Sequence, residues 1–101
     1  MRIDWSDPAV EDLAAIHAYI SRDSETYARH FVARLLELVE GLEAFPRRGR
    51  RLPEASDYSD VRELVFQGYR IVYRSEDERI LILAVIHGSR DINRLEPWRV
   101  P

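Results

Sequence analysis

Apolar residues recur at helical spacing in two stretches near the start of the chain. The first follows Ser6-Asp7-Pro8, a serine cap with a proline at the first helical position, and predicts a helix over residues 8–21. The second predicts a helix over residues 25–44, because a continuous apolar stripe is formed by Tyr27, Phe31, Leu35, Leu38, Leu42 and Phe45. Since only a short turn separates the two helices, we expect an antiparallel helical hairpin.

Alternating apolar and polar positions predict strands on both sides of this hairpin. Residues 1–5 form the first, and three more follow at Val61–Phe66, Tyr69–Arg74 and Arg79–His87. The run Ile80–Ile86 is apolar on both faces, so we expect it to be a central strand that is covered on both sides. The predicted fold class is α+β in the order β-α-α-β-β-β, with the helical hairpin on one face of a small antiparallel sheet.

The second face of this sheet has no obvious cover. The tail over residues 89–101 is rich in arginine and has little periodicity, so an exposed apolar sheet face is expected there. The missing cover predicts a protein partner. The loop over residues 46–60 is long for so small a protein, and we expect it to be either functional or partly mobile.

Length and composition restrict the class of protein. The 101 residues correspond to a single domain, and the absence of cysteine excludes disulfides, thiolate metal sites and cysteine nucleophiles. The start of the chain lacks the apolar core of a signal peptide, and the run Ile80–Ile86 is too short to cross a membrane. We therefore expect a cytoplasmic protein with no membrane association.

The net charge of −3 is unevenly distributed. Residues 1–45 hold 4 Arg and 9 acidic residues, whereas residues 46–101 hold 11 Arg and 9 acidic residues. All 15 basic residues are arginine, which suits bidentate contacts with carboxylates or phosphates. Because the whole chain is acidic, we do not expect the protein alone to bind DNA directly and sequence-specifically.

The segment over residues 46–52 concentrates four of these arginines in five positions. One interpretation is a contact surface for an anion or a nucleic acid. The other is a solvated basic loop whose charge is balanced by Glu54, Asp57 and Asp60. The sequence leaves both interpretations open.

Four polar residues on the strands are candidates for chemistry. A strand arginine can stabilise a phosphorane-like transition state or pair with a neighbouring carboxylate; pairing is favoured for Arg62 and Arg74, and the choice stays open for Arg70. His87 is expected on the face of Leu81, Leu83 and Val85, as a structural hydrogen-bonding group rather than an acid or base. No metal-ligand spacing, phosphate loop or paired-carboxylate motif is present, so no cofactor or metal is expected.

Four stretches together resemble the RelE/ParE toxin superfamily, and within it the ParE branch. The opening IDWSDPAVEDLAAIHAYI resembles that branch's strand and first helix, and ARHFVARLLELVEGLEAFPRRGRRLPE resembles its second helix with a Phe-Pro-x-x-Gly-Arg turn. VRELVFQGYRIVYR resembles its strand pair, and ILAVIHGSRD resembles its terminal strand. Each stretch is degenerate alone, but their order and spacing are specific.

The resemblance implies a small curved antiparallel sheet and a bacterial type II toxin. It also implies a cognate acidic antitoxin, partly disordered, whose helix and strand wrap the toxin and cover the sheet. ParE-like members poison DNA gyrase, whereas RelE-like members cut mRNA on the ribosome. A third alternative is an inactive orphan that only binds a partner.

The residues favour the gyrase branch. The chain has no lysine and is acidic, and Gly88-Ser89 follows His87 where the ribonucleases would have an aromatic residue. For a gyrase poison we expect no catalytic residues and contact residues at Arg47, Arg48, Arg90, Arg94 and Trp98. For a ribonuclease the candidates would be Arg70, His87 and Arg62.

Overall fold

A computed structural model describes residues 1–56 and 60–99. Its helices and longer strands follow the predicted order β-α-α-β-β-β, which confirms the α+β class. The elements are β1 (Arg2–Trp5), α1 (Asp7–Ser21), α2 (Glu25–Glu40), β2 (Arg50–Arg51), β3 (Val61–Phe66), β4 (Tyr69–Ser75), β5 (Arg79–His87) and α3 (Ile92–Leu95). Short 3-10 turns lie at Gly41–Glu43, Pro53–Ala55 and Pro97–Arg99. Asp57, expected to balance the arginine loop, lies outside the described residues.

Serine caps begin both long helices. The Ser6 hydroxyl accepts the N–H of Ala9 at 3.2 Å, and the Ser24 hydroxyl accepts that of Tyr27 at 3.1 Å. The predicted end of the second helix was wrong, because α2 stops at Glu40 and a 3-10 turn follows. Phe45 precedes a proline, which disfavours the helical conformation, and its side chain leaves the apolar stripe for solvent.

The sheet has the strand order β1-β5-β4-β3-β2 and is mixed rather than wholly antiparallel. β1 pairs in parallel with β5, with Ile3 opposite Ile80, along the edge of β5 that β4 does not occupy. The remaining neighbours are antiparallel. β5 is an interior strand, as its apolar sequence predicts, and β2 adds a two-residue edge that the sequence did not reveal.

A β-bulge in β5 changes which residues share a face. Val72 lies opposite Ala84 but the next residue, Tyr73, lies opposite Ile82, so Leu83 is an extra residue in the ladder. Leu83 and Ala84 consequently pack on the same side, and Val85 moves to the other. The expectation that His87 shares a face with Leu81 and Leu83 was wrong, because strict alternation does not survive the bulge.

Each face of the sheet carries its own apolar core. The helical hairpin covers one face, and the core there includes Phe31, Leu35, Ile71 and Ile80. The other face is covered by Leu52, Ile92 and Trp98 from the loop and the tail, which pack on Val72, Leu81, Leu83 and Ile86. The predicted exposed sheet face was therefore wrong: the aperiodic tail hid two apolar residues that reach back across β4 and β5. Within the two described ranges, no helix is long and apolar enough to cross a membrane.

Candidate functional site

Arg70 lies in an ion-pair cluster on the tail-covered face of the sheet. Its Nε donates to Oε1 of Glu63 at 2.5 Å, and the Nε of Arg50 donates to the other oxygen, Oε2, at 2.6 Å. Glu63 is only 3% exposed, so these arginines balance its buried charge. The hydrogen bond that Arg70 donates to Glu63 is the main reason that the pKa of Arg70 is raised above its usual range.

A second carboxylate approaches the same guanidinium. Oε2 of Glu54 lies 3.6 Å from Nη2 of Arg70, while Oε1 of Glu54 is buried and has no hydrogen-bond partner within the described part of the chain. Arg70 is thus flanked by two negative groups. Their negative charge opposes the approach of a phosphate to this arginine.

His87 lies at the exposed end of β5. Its Nδ1 accepts the backbone N–H of Ser89 at 3.2 Å and lies 2.7 Å from the Ser89 hydroxyl. The ring meets that of Tyr69 edge-on, with 5.3 Å between centroids. Because Nδ1 acts as an acceptor, the imidazole proton is on Nε2 in this arrangement. These local contacts are those of a structural group at a strand end.

The three ribonuclease candidates do not form one site. Arg70 lies opposite Ile86 and His87 lies opposite Tyr69, and since successive residues of a strand alternate, the two side chains leave the sheet on opposite faces. Arg62 is far along β3, opposite Tyr73. Its Nε donates to Asp60 at 2.8 Å and its Nη1 to the carbonyl of Gly49 at 2.9 Å, so it holds a loop in place.

Arg47 and Arg48 are brought together on the outer surface of the loop that precedes β2. With Phe45 and Pro46 they line an open cleft of about 640 Å³. The Arg47 side chain is 80% exposed, and its Nε lies 3.9 Å from Oδ2 of Asp60, at the limit of an ion pair. This surface combines unburied aromatic area with two accessible positive charges.

Arg90 and Arg94 form a second exposed cationic surface after the end of β5. Both line a shallow cleft of about 390 Å³ with Asp91 and Leu95. Trp98, expected beside them as a contact residue, is instead 5% exposed in the tail-side core. The Gly88 N–H donates to the Gly68 carbonyl, so the surface of Arg90 and Arg94 begins near the β3–β4 turn. The loop of Arg47 and Arg48 instead precedes β2, at the edge of the sheet.

Asp12 is a site residue that the sequence did not single out. Its Oδ2 accepts the N–H of Val85 at 3.0 Å, which satisfies the edge of β5 beyond the end of β1. Burial is the main cause that raises the pKa of this carboxyl. The neighbouring cleft of about 450 Å³ has an apolar floor, and its rim includes Asp12, Arg90, Glu96 and Arg99.

The other missed residues left weak sequence signals. Glu63 lies among Val61, Leu64 and Val65 in a largely apolar strand, which is a sign of a buried ion pair, whereas no pattern marks Glu54 as a partner of Arg70. Phe45 was assigned to the core stripe although it directly precedes a proline. In residues 1–56 and 60–99, no three His, Asp or Glu side chains are close enough to hold a metal ion.

The comparisons with known proteins agree with this fold. Residues 3–92 match the family model of the ParE toxin of the type II toxin-antitoxin system, parDE. A solved structure of the chromosomal ParDE TA system from P. aeruginosa is similar to the chain, with a TM-score of 0.70 and 26% identity over 86% of this chain and 95% of that one. No curated protein matches. Since the family model covers most of the sequence, the chain belongs to the ParE toxin family of type II toxin–antitoxin systems.

Proposed function

We propose that the protein is a toxin that arrests bacterial growth by inhibiting DNA gyrase in the cytoplasm. It acts by protein–protein contact and has no hydrolytic centre of its own. A cognate acidic antitoxin neutralises it by binding. The proposal applies the gyrase-directed mode of action, which the resemblance implies, to this member of the ParE family.

One observation carries the choice of gyrase over mRNA: Arg70 and His87 project from opposite faces of the sheet. Cleavage of RNA requires an acid or base and a charge-stabilising group at the same phosphate. Arg70 is also held between Glu63 and Glu54, whose negative charge opposes a phosphate. A target that is bound through a surface requires no such convergence.

The arginine surfaces support an acidic antitoxin as partner. Arg47 and Arg48 are exposed in a cleft with Phe45, and Arg90 and Arg94 are exposed in a separate cleft with Leu95. An acidic segment gains electrostatic attraction there, together with burial of apolar area. Two separated surfaces are what a partner that wraps around the toxin would use.

A pair of assays tests the target. Purified protein should block gyrase supercoiling and accumulate cleaved plasmid, and His87→Ala should retain most of this effect because it removes no proposed contact. The same preparations are tested for mRNA cleavage on translating ribosomes. Codon-specific cuts that disappear in His87→Ala, with gyrase unaffected, would replace this proposal by a ribosome-dependent ribonuclease.

A binding experiment tests the antitoxin. Co-expression with the neighbouring acidic protein should restore growth, and a thousandfold excess over the dissociation constant should stabilise the toxin by roughly 4 kcal/mol. Arg90→Glu with Arg94→Glu should weaken the complex more than Glu37→Ala with Glu40→Ala on the exposed face of α2. Equal effects of the two pairs would remove the tail surface from the proposal.

A further inference from the structure

We propose that the segment Phe45–Arg48, here called the Phe45 loop, is the anchor by which the toxin docks on its target protein. The occupant is an acidic surface with an apolar recess that receives the Phe45 ring between contacts to Arg47 and Arg48. The inference rests on the proposed function, since it names the surface through which gyrase would be bound. It adds an aromatic anchor and the groups that hold it in position.

Exposure is the first line of support. Phe45 is 67% exposed, more than any other large apolar side chain in the described residues. Ala44 and Pro46 extend the apolar area into the adjoining cleft. Burial of this aromatic ring against a partner would be favourable, because most of the ring is in contact with solvent in the isolated chain. Aromatic and arginine side chains also dominate the binding energy of protein interfaces.

The backbone of the loop is held by hydrogen bonds to the sheet, although most of its side chains are exposed. The buried hydroxyl of Tyr73 donates to the Pro46 carbonyl at 3.0 Å and accepts the Gly49 N–H at 2.9 Å. Nη1 of Arg62 donates to the carbonyls of Gly49 and Arg47, at 2.9 and 3.3 Å. Such a preorganised loop loses little conformational entropy on binding, as expected for a recognition element.

Close packing fixes the end of the loop as well. A Cβ added to Gly49 would lie 2.5 Å from the Glu63 carbonyl and 2.7 Å from the Tyr73 hydroxyl oxygen. Residue 49 must therefore be a glycine for the loop to lie against β3 and β4. Two side chains of the sheet, Tyr73 and Arg62, thus hold the loop in position through four hydrogen bonds.

Charge identifies the kind of partner. Arg47 and Arg48 are both exposed, with Nη1 of Arg48 close to Gly41, and Asp60, at 3.9 Å from Arg47, only partly offsets their charge. An acidic protein surface is complementary to this loop. A nucleic acid is disfavoured, because the chain has a net charge of −3 and the described part of the loop offers a single aromatic ring for stacking.

Four proteins test the inference: wild type, Phe45→Ala, Tyr73→Phe and Tyr19→Ala. Tyr19 is a matched control, since it is 62% exposed but lies on α1. Phe45→Ala should raise the concentration for half-inhibition of gyrase about 10–100-fold with unchanged folding stability. Tyr73→Phe keeps Phe45 but removes two of the hydrogen bonds that hold the loop. It should raise the concentration for half-inhibition about 3–10-fold. Tyr19→Ala should match wild type.

The possible failures are distinguishable. If wild type and Phe45→Ala inhibit gyrase equally, or if Phe45→Ala loses only antitoxin affinity, the docking inference is overturned while the proposed function stands. If wild type does not inhibit gyrase, the proposed function fails, and growth arrest in cells then tests the docking inference. The inference is retained only if Phe45→Ala no longer arrests growth but still binds the antitoxin. Binding of the wild type to duplex DNA alone that is lost in Phe45→Ala would identify a nucleic-acid contact instead.

Discussion

Arg70 and Glu63 form an ion pair from which most solvent is excluded, with 2.5 Å between Nε and Oε1. Glu63 is paired on its other oxygen by Arg50, whose side chain is largely exposed. The cluster lies on β2, β3 and β4, so it also joins the edge of the sheet to its centre. A loss of activity on replacing Arg70 could therefore come from a loss of stability rather than from a role in chemistry.

Replacement of Arg70 should destabilise the fold. Arg70→Ala leaves Glu63 with one solvent-exposed partner, and we expect a loss of about 3 kcal/mol in the free energy of unfolding, measured with urea. Adding Glu63→Gln should recover part of that loss, because the buried charge is then gone. Strictly additive effects of the two changes would show that the ion pair contributes nothing. Any loss of toxicity in Arg70→Ala is interpretable only beside this measurement.

Trp98 should behave as a core residue. Because its ring covers β4 and β5 together with Ile92, we expect Trp98→Ala to cost about 3 kcal/mol and to expose the apolar face of the sheet. Thermal unfolding and binding of a hydrophobic dye to the folded variant measure the two effects. Arg94→Ala, at an exposed position of the same tail, should change stability by less than about 0.5 kcal/mol. An unchanged melting temperature in Trp98→Ala would contradict this packing.

The Tyr73 hydroxyl should contribute to stability through its two hydrogen bonds. Tyr73→Phe leaves the Gly49 N–H and the Pro46 carbonyl without this partner, and we expect a loss of about 1–3 kcal/mol in urea unfolding. Tyr19→Phe removes a hydroxyl from an exposed tyrosine and serves as the control. If both changes have the same small effect, the hydroxyl of Tyr73 does not hold the loop.

Asp12 should make the protein less stable as the pH rises. Burial raises its folded-state pKa above the ordinary value of 3.8, so the folded protein retains a proton that the unfolded chain releases. Its contribution is therefore most favourable below pH 3.8 and is lost between that pH and the raised pKa. Asp12→Asn keeps an acceptor for the Val85 N–H and has no charge to bury.

The free energy of unfolding of wild type and Asp12→Asn, measured from pH 3 to pH 7, tests this prediction. This range of about four pH units spans the usual carboxyl pKa values. Asp12→Asn should gain stability relative to wild type as the pH rises through the window. Asp4→Asn should show the opposite trend, because its hydrogen bond from Arg79 lowers the pKa of that carboxyl. A constant difference between Asp12→Asn and wild type across the whole range would contradict the assigned shift.

Local signals in the sequence were sufficient for much of the fold. Ser6 and Ser24 mark the starts of α1 and α2, and the doubly apolar run Ile80–Ile86 identifies an interior strand. These features depend on neighbours in sequence. The bulge at Leu83 could not be predicted in the same way, because it arises from the register between two strands, and it moves every later residue to the opposite face.

The candidate site was predictable in composition but not in arrangement. The two exposed arginine surfaces follow from counting charges in residues 46–52 and in the tail. That Arg70 and His87 face apart, and that Trp98 is buried, depends on contacts between distant segments. Phe45 shows the limit most clearly: it continues the helical spacing of α2, yet the chain turns before it and exposes it.

The parallel pairing of β1 with β5 affects how the protein is made. Residues 2–5 pair only with residues 79–82, so this part of the sheet cannot form until most of the chain has been synthesised. The helical hairpin is assembled from local contacts, but it packs on β5, the last long strand to emerge. A nascent chain interrupted before residue 79 therefore lacks the strand that both apolar cores share, and neither core can be completed.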